Sequence, residues 1–569
     1  MAMRAVRRAA TPGALALGAI LVAGLLLRLW NIDHGLPYLY HPDEAYHYTS
    51  RAMRFFSGTL DPGYFQNPSA FTYLVYAALR VVEGGGWPFR DYHPFVVGFS
   101  ADPTEAFVVA RTVAAVLCMV GVAATYAAAR RLWGVAEAVA AAAVLSFAFL
   151  TVAYSRYAVT DVGVLAPAAL AVYGAVMIRE DGRLRWYVLA GAATGLSIGF
   201  KYTAGLVLLV VLAAALLRFR DERDRRTAVR RTAAALGVMT VVFVVSTPFF
   251  VIDLHVALYQ LKVQRLAANT PKLGQPAEGG FPFYLRSLTW GFGWGALVAA
   301  AAGLILQWRR DRVRALMLIG FPAALLLYFV TDADRFFARW LMPGYPALAM
   351  LAGVGIAGVA RAVPVRRALQ AVVLALLVAA AIAMPVAADV RNARVLGRED
   401  TREIVRSWMT AHLRAGDRVV IEPAVPSGFF GGRYTEGFGP RAKASGTDAG
   451  SATRFILALA PRRIDEYRRA GYCTVVTMSL IRDRALQGGN AEIAAYYRRL
   501  DRESRVVFHA SPYRRGAKPV RFDFDFSTHL YEPAAYWRPG PDIAVHRLRD
   551  CRQGIGGPLP AAGPAPPQP

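Results

Sequence analysis

About eleven apolar runs follow one another between residues 12 and 388, and short arginine clusters separate them. Most reach the roughly 20 residues that a helix needs to cross the hydrocarbon core of a bilayer. The fifth and sixth runs are shorter and predict a hairpin around Lys201. The predicted spans are 12–30, 105–129, 133–153, 161–178, 186–200, 203–217, 232–251, 287–307, 314–331, 340–360 and 368–388. The pattern predicts a polytopic α-helical membrane protein.

The arginine clusters all fall on the same side of this arrangement. They read "RAVRR", "RR" at 130–131, "REDGRLR", "RFRDERDRR", "WRRDRVR" and "RAVPVRR". The loops on the other side are poor in Lys and Arg for their length. Because cytoplasmic loops carry the excess of Lys and Arg, we expect a cytoplasmic N-terminus and an extracytoplasmic segment after residue 389.

Composition agrees with this topology. The 569 residues are 56% hydrophobic, above the usual 45–50% of soluble domains. The formal net charge of +26 would indicate nucleic-acid binding in a soluble protein. Here much of the Arg lies in short clusters between apolar runs, as membrane topology requires, so we expect no nucleic-acid partner. The first run is long and lacks a small-x-small cleavage site, which favours an uncleaved span over a signal peptide.

The chain changes character after residue 389. "DTREIVRSWMTAHL" predicts an amphipathic helix, and "GDRVVIEPA", "GYCTVVTMS" and "PGPDIAVHRL" predict strands. We expect a small extracytoplasmic α/β domain over 390–552 and a disordered Pro/Gly/Ala tail over 553–569. Cys473 and Cys551 fall in this domain, where a disulfide is permitted, and the sequence leaves their pairing open.

The densest ionisable stretch, "LYHPDEAYHYTS" at 39–50, follows the first span. It places Asp43 and Glu44 between His41 and His47, at a membrane interface where carboxylates are costly and usually functional. The next stretches, "RAMRFFSGTL" and "PSAFTYLVYAALRVV", predict interfacial helices. Further ionisable residues recur on the same outer side, at the ends of spans: Arg156, Asp161, Lys201, Arg335 and Arg339.

Carboxylates and cations are thus expected to converge on one face of the helix bundle. A carboxylate can take a proton from a hydroxyl or amine acceptor. Lys and Arg can bind a phosphate leaving group and stabilise the charge that develops on it. The set of residues therefore favours a group-transfer enzyme with a phosphate leaving group.

The stretch "RLWNIDHGLPYLYHPDEAYHYTSRAMRFFSGTLDPGYFQNPSAFTYL" resembles the first outer loop of GT-C glycosyltransferases, in the family 39 branch of protein O-mannosyltransferases and lipid A aminoarabinose transferases. The resemblance continues through "SRYAVTDVGVLAPAALAVY", "GLSIGFKYTAGLVLLV", "STPFFVID" and "RWLMPGYPALAMLAG". It covers about residues 10–390 in family order. It implies a GT-C transmembrane domain over 1–389 with interfacial helices in the first outer loop.

The resemblance also implies an activity. A polyprenyl-phosphate-linked sugar would serve as donor, and transfer would invert the anomeric carbon on the outer side of the cytoplasmic membrane. The sugar would be a hexose or a pentose, and a lipid, a glycan or a protein would be the acceptor. By position in the family motif, Asp43 matches the catalytic aspartate, and Glu44 is its neighbour, which orients the acceptor or the base.

The other candidate residues are assigned by the same resemblance. Lys201 and Arg339 match positions suited to the donor phosphate, and Asp161 holds the second acidic position. The family pattern does not fix the two histidines, for which a structural hydrogen bond is favoured over chemistry. Arg335 is open between a site role and an interface anchor. These histidines and Arg335 complete the candidate substrate-binding set: His41, His47 and Arg335.

No metal is expected to be obligatory, because two cations suffice for a lipid monophosphate, although carboxylates beside histidines could bind a divalent ion. Three other functions compete with transfer from a lipid monophosphate. A polyprenyl-lipid flippase would need mid-bilayer ionisable residues and inverted repeats. A non-catalytic envelope assembly or sensor protein would work through its outer domain. An O-antigen-ligase-like enzyme would use a diphosphate donor.

Overall fold

The structure is a computed structural model that describes residues 12–84, 93–222, 224–271, 275, 279–413, 418–421, 442–443, 459–520 and 532–552. The chain divides into two compact units. The first consists of Met1–Ile32, Tyr46–Asn269 and Gly279–Val390. The second consists of Asp33–Ala45, Thr270–Glu278 and Arg391–Pro569, and so includes part of the first outer loop. The predicted tail over 553–569 lies outside the described residues.

The first unit is helical and has a helix at each predicted span. Over the described residues, nine helical stretches are long and apolar enough to cross a membrane. The predicted third and fifth spans are shorter helices of 13 and 17 residues. The helices are Pro12–Leu29, Thr104–Leu132, Val135–Phe147, Leu165–Glu180, Leu184–Phe200, Val207–Asp221, Arg225–Ser246, Trp294–Arg310, Arg312–Thr331, Tyr345–Ala362 and Arg367–Leu396.

Shorter elements connect these helices. The first outer loop forms helices where interfacial helices were predicted: Pro42–His47, Thr49–Arg54, the 3₁₀ turn Phe55–Ser57, Ala70–Gly84 and His93–Ala101. Three further 3₁₀ turns interrupt the bundle at Thr160–Val162, Tyr202–Leu206 and Ala338–Gly344. The remaining connections are the helices Phe149–Tyr154, Pro248–Ile252, Leu254–Ala268 and Gly280–Leu288 and the π-helical turn Thr289–Gly293.

Burial separates central helices from peripheral ones. In the most apolar 18-residue window of Ala338–Ala362, 89% of the residues are buried within the protein. In that of Arg225–Ser246, only 11% are buried. After its first turns, which carry exposed arginines, this helix exposes large apolar side chains, among them Val241 at 61% and Val245 at 74%. Such a surface is costly in water and matches the hydrocarbon core of a bilayer. The first unit is therefore a membrane bundle whose peripheral helices face lipid.

Two glycines let a pair of bundle helices approach closely. Gly303 lies on Trp294–Arg310 and Gly355 lies on Tyr345–Ala362. A methyl group at Gly303 would collide with the carbonyl oxygen of Leu351, and one at Gly355 with that of Ala299. In lipid, where apolar burial does not drive helix association, small residues at such contacts provide close packing.

The second unit contains a five-stranded mixed sheet. Its strands are Val419–Ile421 (β1), Ala442–Lys443 (β2), Thr474–Met478 (β3), Ser504–Ala510 (β4) and Ile543–Leu548 (β5). The strand order is β2-β1-β3-β5-β4. β1 pairs in parallel with β2 and β3, whereas β5 pairs antiparallel with β3 and β4. The three strands predicted from sequence correspond to β1, β3 and β5, and β2 and β4 were not predicted.

Alternating residues of β1 and β3 bury both faces of the sheet. Val420 and Val475 join one apolar cluster, which is covered by the helices Arg463–Arg469, Ser479–Gln487 and Ala491–Glu503. Val419 and Val476 join the other, which is covered by the helix Thr401–His412. Two buried faces require the continuous apolar runs that the sequence shows in these strands.

A disulfide closes the second unit. Cys473 immediately precedes β3 and is bonded to Cys551, 78 residues later, with 5.5 Å between the Cα atoms. In the chain-entropy account, closing a loop of this length raises the free energy of the unfolded chain by about 4 kcal/mol and so stabilises the folded state. The pairing that the sequence left open is therefore formed. Cys118 is a buried free cysteine within the membrane bundle.

Candidate functional site

Three of the predicted residues form a buried ionic cluster in the membrane unit. The Nζ of Lys201 lies 2.6 Å from Oδ1 of Asp161, and the Nε of Arg339 lies 3.7 Å from the same oxygen. Lys201 Nζ is also 3.5 Å from the carbonyl oxygen of Arg339. The side chains are 9–15% exposed, so the cluster is largely but not completely closed. One carboxylate and two cations give it one net positive formal charge.

Each member of the cluster lies at a break between helices. Asp161 is in the 3₁₀ turn Thr160–Val162, and Arg339 is in the turn Ala338–Gly344. Lys201 is extended, with φ −155° and ψ 116°, where one helix ends and the turn Tyr202–Leu206 begins. These breaks expose backbone groups and place short polar segments inside an apolar bundle, which a membrane protein tolerates where they are buried in protein or line a cavity.

Contacts of neighbouring residues fix two of these breaks to each other. The hydroxyl of Thr160 donates to the carbonyl oxygen of Phe200 at 2.8 Å, so the residues beside Asp161 and Lys201 are joined directly. A methyl group at Gly163 would collide with the ring of Phe200. The ion pair is thus supported by close packing of the two turns, and its geometry does not depend on the side chains alone.

Aromatic rings surround Arg339. Its guanidinium lies 4.4 Å from the ring centre of Phe337 and 5.6 Å from that of Tyr154. Its Nη1 donates to the Tyr154 hydroxyl at 3.2 Å. A guanidinium held against ring faces keeps the planar fork that matches the oxygens of a phosphate.

The first outer loop reaches the turn after Lys201. The hydroxyl of Tyr202 donates to the carbonyl oxygen of Phe65 at 3.1 Å. Beside it, the ring of Tyr64 stacks on His47 with 4.7 Å between ring centres, and the guanidinium of Arg51 lies 4.5 Å from the Tyr64 ring centre. His47 therefore packs within the loop that contacts the segment carrying Lys201.

Arg335 is held by a different contact. Its backbone N–H donates to the carbonyl oxygen of Ala268 at 2.9 Å, at the end of the helix Leu254–Ala268. Burial lowers the pKa of its guanidinium. The ion pairs of the cluster described above join Asp161, Lys201 and Arg339.

The carboxylate pair lies on a short helix. Pro42–His47 carries Asp43 and Glu44 in its first turn, and these two residues belong to the second unit. Glu44 is fully buried, and its backbone N–H donates to Nδ1 of His41 at 3.3 Å. Asp43 is half-buried. His41 thus caps the helix that presents the two carboxylates.

Sequence reasoning missed a set of buried charges in the bundle. Arg28, Arg156 and Asp389 are at most 1% exposed, and the carboxylate of Asp389 interacts electrostatically with both guanidinium groups. Arg28 donates to the carbonyl oxygens of Gly24 and Ser146 at 2.8 Å. Only Arg156 had been singled out from the sequence. Arg28 lies inside the first apolar run and Asp389 directly follows the last one, and a charge at such a position was the signal that could have identified them.

Aromatic residues at the cluster and in the loop were missed as well: Tyr38, Tyr40, Tyr64, Phe65, Tyr154, Tyr202 and Phe337. The candidates taken from the sequence were charged residues and histidines, so aromatic side chains were not considered. Across the described ranges, no group of three or more His, Cys, Asp and Glu side chains could hold a metal ion.

Comparison with known proteins gives one family match. A family model described as dolichyl-phosphate-mannose-protein mannosyltransferase matches residues 104–252. No curated protein matches the sequence significantly.

Solved structures share the fold across most of the chain. ArnT from Cupriavidus metallidurans bound to undecaprenyl phosphate is 16% identical with a TM-score of 0.50, covering 95% of this chain and 99% of ArnT. Apo ArnT is 16% identical with a TM-score of 0.52, covering 94% and 98%. The oligosaccharyltransferase AglB from Archaeoglobus fulgidus, in complex with an inhibitory peptide and a dolichol-phosphate, is 13% identical with a TM-score of 0.51, covering 87% and 73%. The predicted GT-C resemblance and fold class are confirmed.

Proposed function

From a chain with the GT-C fold, we propose a membrane glycosyltransferase that moves a sugar from a polyprenyl phosphate to an acceptor outside the cytoplasm. The observation that carries the proposal is the cluster of Asp161, Lys201 and Arg339, assembled from three helix breaks inside an apolar bundle. The family match over 104–252 includes two of these residues. The structural relative ArnT, whose fold covers nearly the whole chain, was solved with undecaprenyl phosphate bound.

Lys201 and Arg339 bind the donor phosphate in this proposal. A sugar phosphodiester carries one negative charge, which complements the single net positive charge of the cluster. Transfer releases a phosphate monoester with more negative charge, and both cations stabilise that charge as it develops. Asp161 orients the two cations, which the 2.6 Å contact to Lys201 supports.

Asp43 acts as the base. The acceptor hydroxyl or amine gives its proton to the Asp43 carboxylate while its oxygen or nitrogen forms the new bond to the anomeric carbon. The bond from that carbon to the phosphate oxygen breaks on the opposite face, and the configuration inverts. Glu44, which is fully buried, orients the segment and does not exchange protons with the acceptor; Asp43, half-buried, is the more accessible carboxylate.

The remaining candidates have supporting roles. His41 caps the helix that carries the carboxylates, and His47 stacks in the loop beside Tyr64. Arg335 anchors its segment at the end of the helix Leu254–Ala268. No divalent metal is required, because the two cations already neutralise the phosphate. A chelator should therefore leave the initial rate of the purified enzyme unchanged, and restoration of a lost rate by one added metal would contradict this.

The reaction takes place outside the cytoplasm, at the cell membrane. The Cys473–Cys551 disulfide supports this side for the second unit, because disulfides persist in oxidising compartments. The arginine clusters between spans support the same orientation. A reporter that is active only outside the cytoplasm, fused after residue 389, should be active. Activity of a cytoplasmic reporter at that position would contradict the topology.

A transfer assay tests the function. The purified protein in lipid vesicles is given synthetic polyprenyl phosphates that carry different radiolabelled hexoses or pentoses, with an extract of envelope lipids, glycans and proteins as acceptors. We expect label in one acceptor class and release of an equal amount of polyprenyl phosphate. Movement of the intact labelled lipid across the vesicle bilayer without transfer would identify a flippase instead. Loss of one sugar from the envelope of a deletion strain would then identify the product.

A further inference from the structure

Within the second unit, the segment that leads into the carboxylate pair packs against residues that follow position 390. Tyr40, three residues before Asp43, is 7% exposed and belongs to the same apolar cluster as Val405 and Val476. Tyr38 packs against this cluster from its edge. The helix Thr401–His412 supplies Val405 and Met409 to it, so this helix covers the tyrosines on one side.

Two arginines of this helix lie over the two tyrosine rings. The guanidinium of Arg402 is 3.5 Å from the ring centre of Tyr40, and that of Arg406 is 3.0 Å from the ring centre of Tyr38. Residues four apart lie on the same face of a helix, so one helical face contacts both rings. Buried cation–π contacts of this kind are stronger than exposed ones because both groups are desolvated.

Hydrogen bonds fix the orientation of this face. Arg402 donates from Nε and Nη2 to the two oxygens of Asp400 at 2.8 and 2.6 Å. Asp400 caps the helix by accepting from the backbone N–H of Arg402 at 2.8 Å. The hydroxyl of Tyr40 donates to Oε1 of Glu403 at 3.2 Å. Tyr40 is thus held through both its ring and its hydroxyl.

The residue between the tyrosines has a costly backbone conformation. Leu39 has a φ of +55°, in the left-handed region that bulky side chains rarely adopt. Such a conformation persists only where the surrounding structure determines it. Its neighbours on both sides are the two tyrosines, which the helix Thr401–His412 holds.

We propose that Arg402, Glu403 and Arg406 are positioning residues, which set the place of Asp43 by holding Tyr38 and Tyr40. This inference rests on the proposed role of Asp43 as the base. It gives the part of the second unit that follows residue 390 a role in the reaction. A displacement of about 1 Å at a reacting group can reduce a rate by a hundredfold, so a modest release of the tyrosines is sufficient for a measurable effect.

Kinetics of Tyr40 variants test the proposal. Tyr40→Ala should lower kcat by about tenfold to a hundredfold, while the affinity for the polyprenyl-phosphate sugar stays within about twofold. Tyr40→Phe keeps the ring under Arg402 and loses only the hydrogen bond to Glu403, so its kcat should lie between those of the unmodified protein and Tyr40→Ala. The matched control is Arg482→Ala, an arginine of the same unit whose ion pair with Asp501 is exposed, and it should leave both constants unchanged. An unchanged kcat in Tyr40→Ala, or a loss of donor affinity as large as the loss of kcat, would overturn the proposal.

A second variant covers the risk that Tyr40→Ala does not fold. Tyr38→Leu keeps the apolar surface and removes only the ring beneath Arg406. We expect a three- to tenfold fall in kcat with the disulfide and the melting temperature retained. A normal kcat in this folded variant would overturn the proposal in the same way.

A double variant separates this proposal from the proposed function. If Tyr40 acts through Asp43, adding Tyr40→Ala to Asp43→Asn should cause no further loss of the residual rate measured with radiolabelled donor. A further tenfold loss would show that Tyr40 acts independently and would overturn the positioning role. Near-normal turnover by Asp43→Asn alone would instead remove the proposed base. An inactive Asp43→Asn with a normal Tyr40→Ala would contradict the positioning role alone.

Discussion

Each unit holds a buried ionic cluster, and the two clusters are built differently. In the membrane unit, Asp161 contacts Lys201 and Arg339. Lys201 lies 40 residues after Asp161, and Arg339 lies 138 residues after Lys201. In the second unit, Asp400 binds Arg402, only two residues away. The side chains of the first cluster are 9–15% exposed, whereas those of the second are 4–5% exposed.

The difference indicates what each cluster is for. A buried ion pair adds little net stability, because desolvation offsets the attraction between the charges. A cluster that interrupts three helices and stays partly open therefore fits the proposed donor site better than a stabilising role. The closed cluster caps a helix and holds a tyrosine, which are structural and positioning roles.

The largest effect should come from Asp43, which belongs to neither cluster. Asp43→Asn keeps the shape and a hydrogen-bonding oxygen but cannot take a proton. Transfer should fall by about a hundredfold to ten-thousandfold, the usual share of general-base catalysis. Turnover of the purified variant measures this, with the melting temperature as the folding control. Near-normal turnover in a folded variant would show that Asp43 is not the base.

The closed cluster should respond in stability. Asp400→Asn leaves the Arg402 guanidinium buried without its carboxylate, which costs on the order of 3–5 kcal/mol. Asn caps a helix as well as Asp does, so the cap itself is not lost. The matched control is Asp224→Asn, which changes an exposed cap that accepts from the backbone N–H groups of Arg226 and Thr227.

Unfolding of each variant can be followed by the accessibility of the Cys473–Cys551 disulfide to a reductant. We expect Asp400→Asn to become accessible at much lower denaturant, and Asp224→Asn to behave like the unmodified protein. Equal stability of the two variants would mean that the closed ion pair contributes nothing beyond the cap.

The open cluster should respond in donor affinity. Lys201→Ala and Arg339→Ala should each weaken binding of a polyprenyl-phosphate sugar by about tenfold to a hundredfold, as expected when a charge-assisted hydrogen bond is lost. Arg339→Lys should also weaken binding, because Lys lacks the planar fork of donors. Arg265→Ala is the control, since the ion pair of Arg265 with Asp332 is exposed. Unchanged affinity in both alanine variants would remove these residues from the donor site.

The sequence predicted the open cluster better than the closed one. Lys201 and Arg339 were found because a charge at the end of an apolar run is conspicuous. The family resemblance then matched both residues to positions suited to the donor phosphate. Their contact with Asp161 needed the fold, because the three helix breaks are far apart in the chain. The break at Lys201 could be seen in the sequence as a short hairpin.

The closed cluster was overlooked for the opposite reason. Asp400 and Arg402 lie in a predicted amphipathic helix, where charges ordinarily face water. Their burial depends on Tyr38 and Tyr40, some 360 residues earlier, and no local pattern links the two segments. The strand β4 was missed for another reason: its residues Val506 and Val507 are exposed, so it lacks the continuous apolar burial of β3.

The smallest effect concerns the proton of a buried carboxyl, Glu532, near the closed cluster of Asp400 and Arg402. Burial raises the pKa of Glu532 to about 8, although nearby Arg402 acts in the opposite direction. A carboxyl whose pKa is raised in the folded state keeps its proton there after the unfolded chain has lost it, so its stabilising contribution decreases as pH rises from about 4.5 to 8. Between pH 7 and 8 the slope for this group is at most about 1.4 kcal/mol per pH unit. Burial lowers the pKa of His546 to about 4. Its contribution to stability therefore rises with pH, but only below its ordinary pKa of 6.5, outside the range of pH 7 to 8. Glu532→Gln should therefore flatten the decline in stability between pH 7 and 8. Access of a reductant to the Cys473–Cys551 disulfide measures that stability. An unchanged slope would show that Glu532 is ionised beside Arg402 in the folded protein.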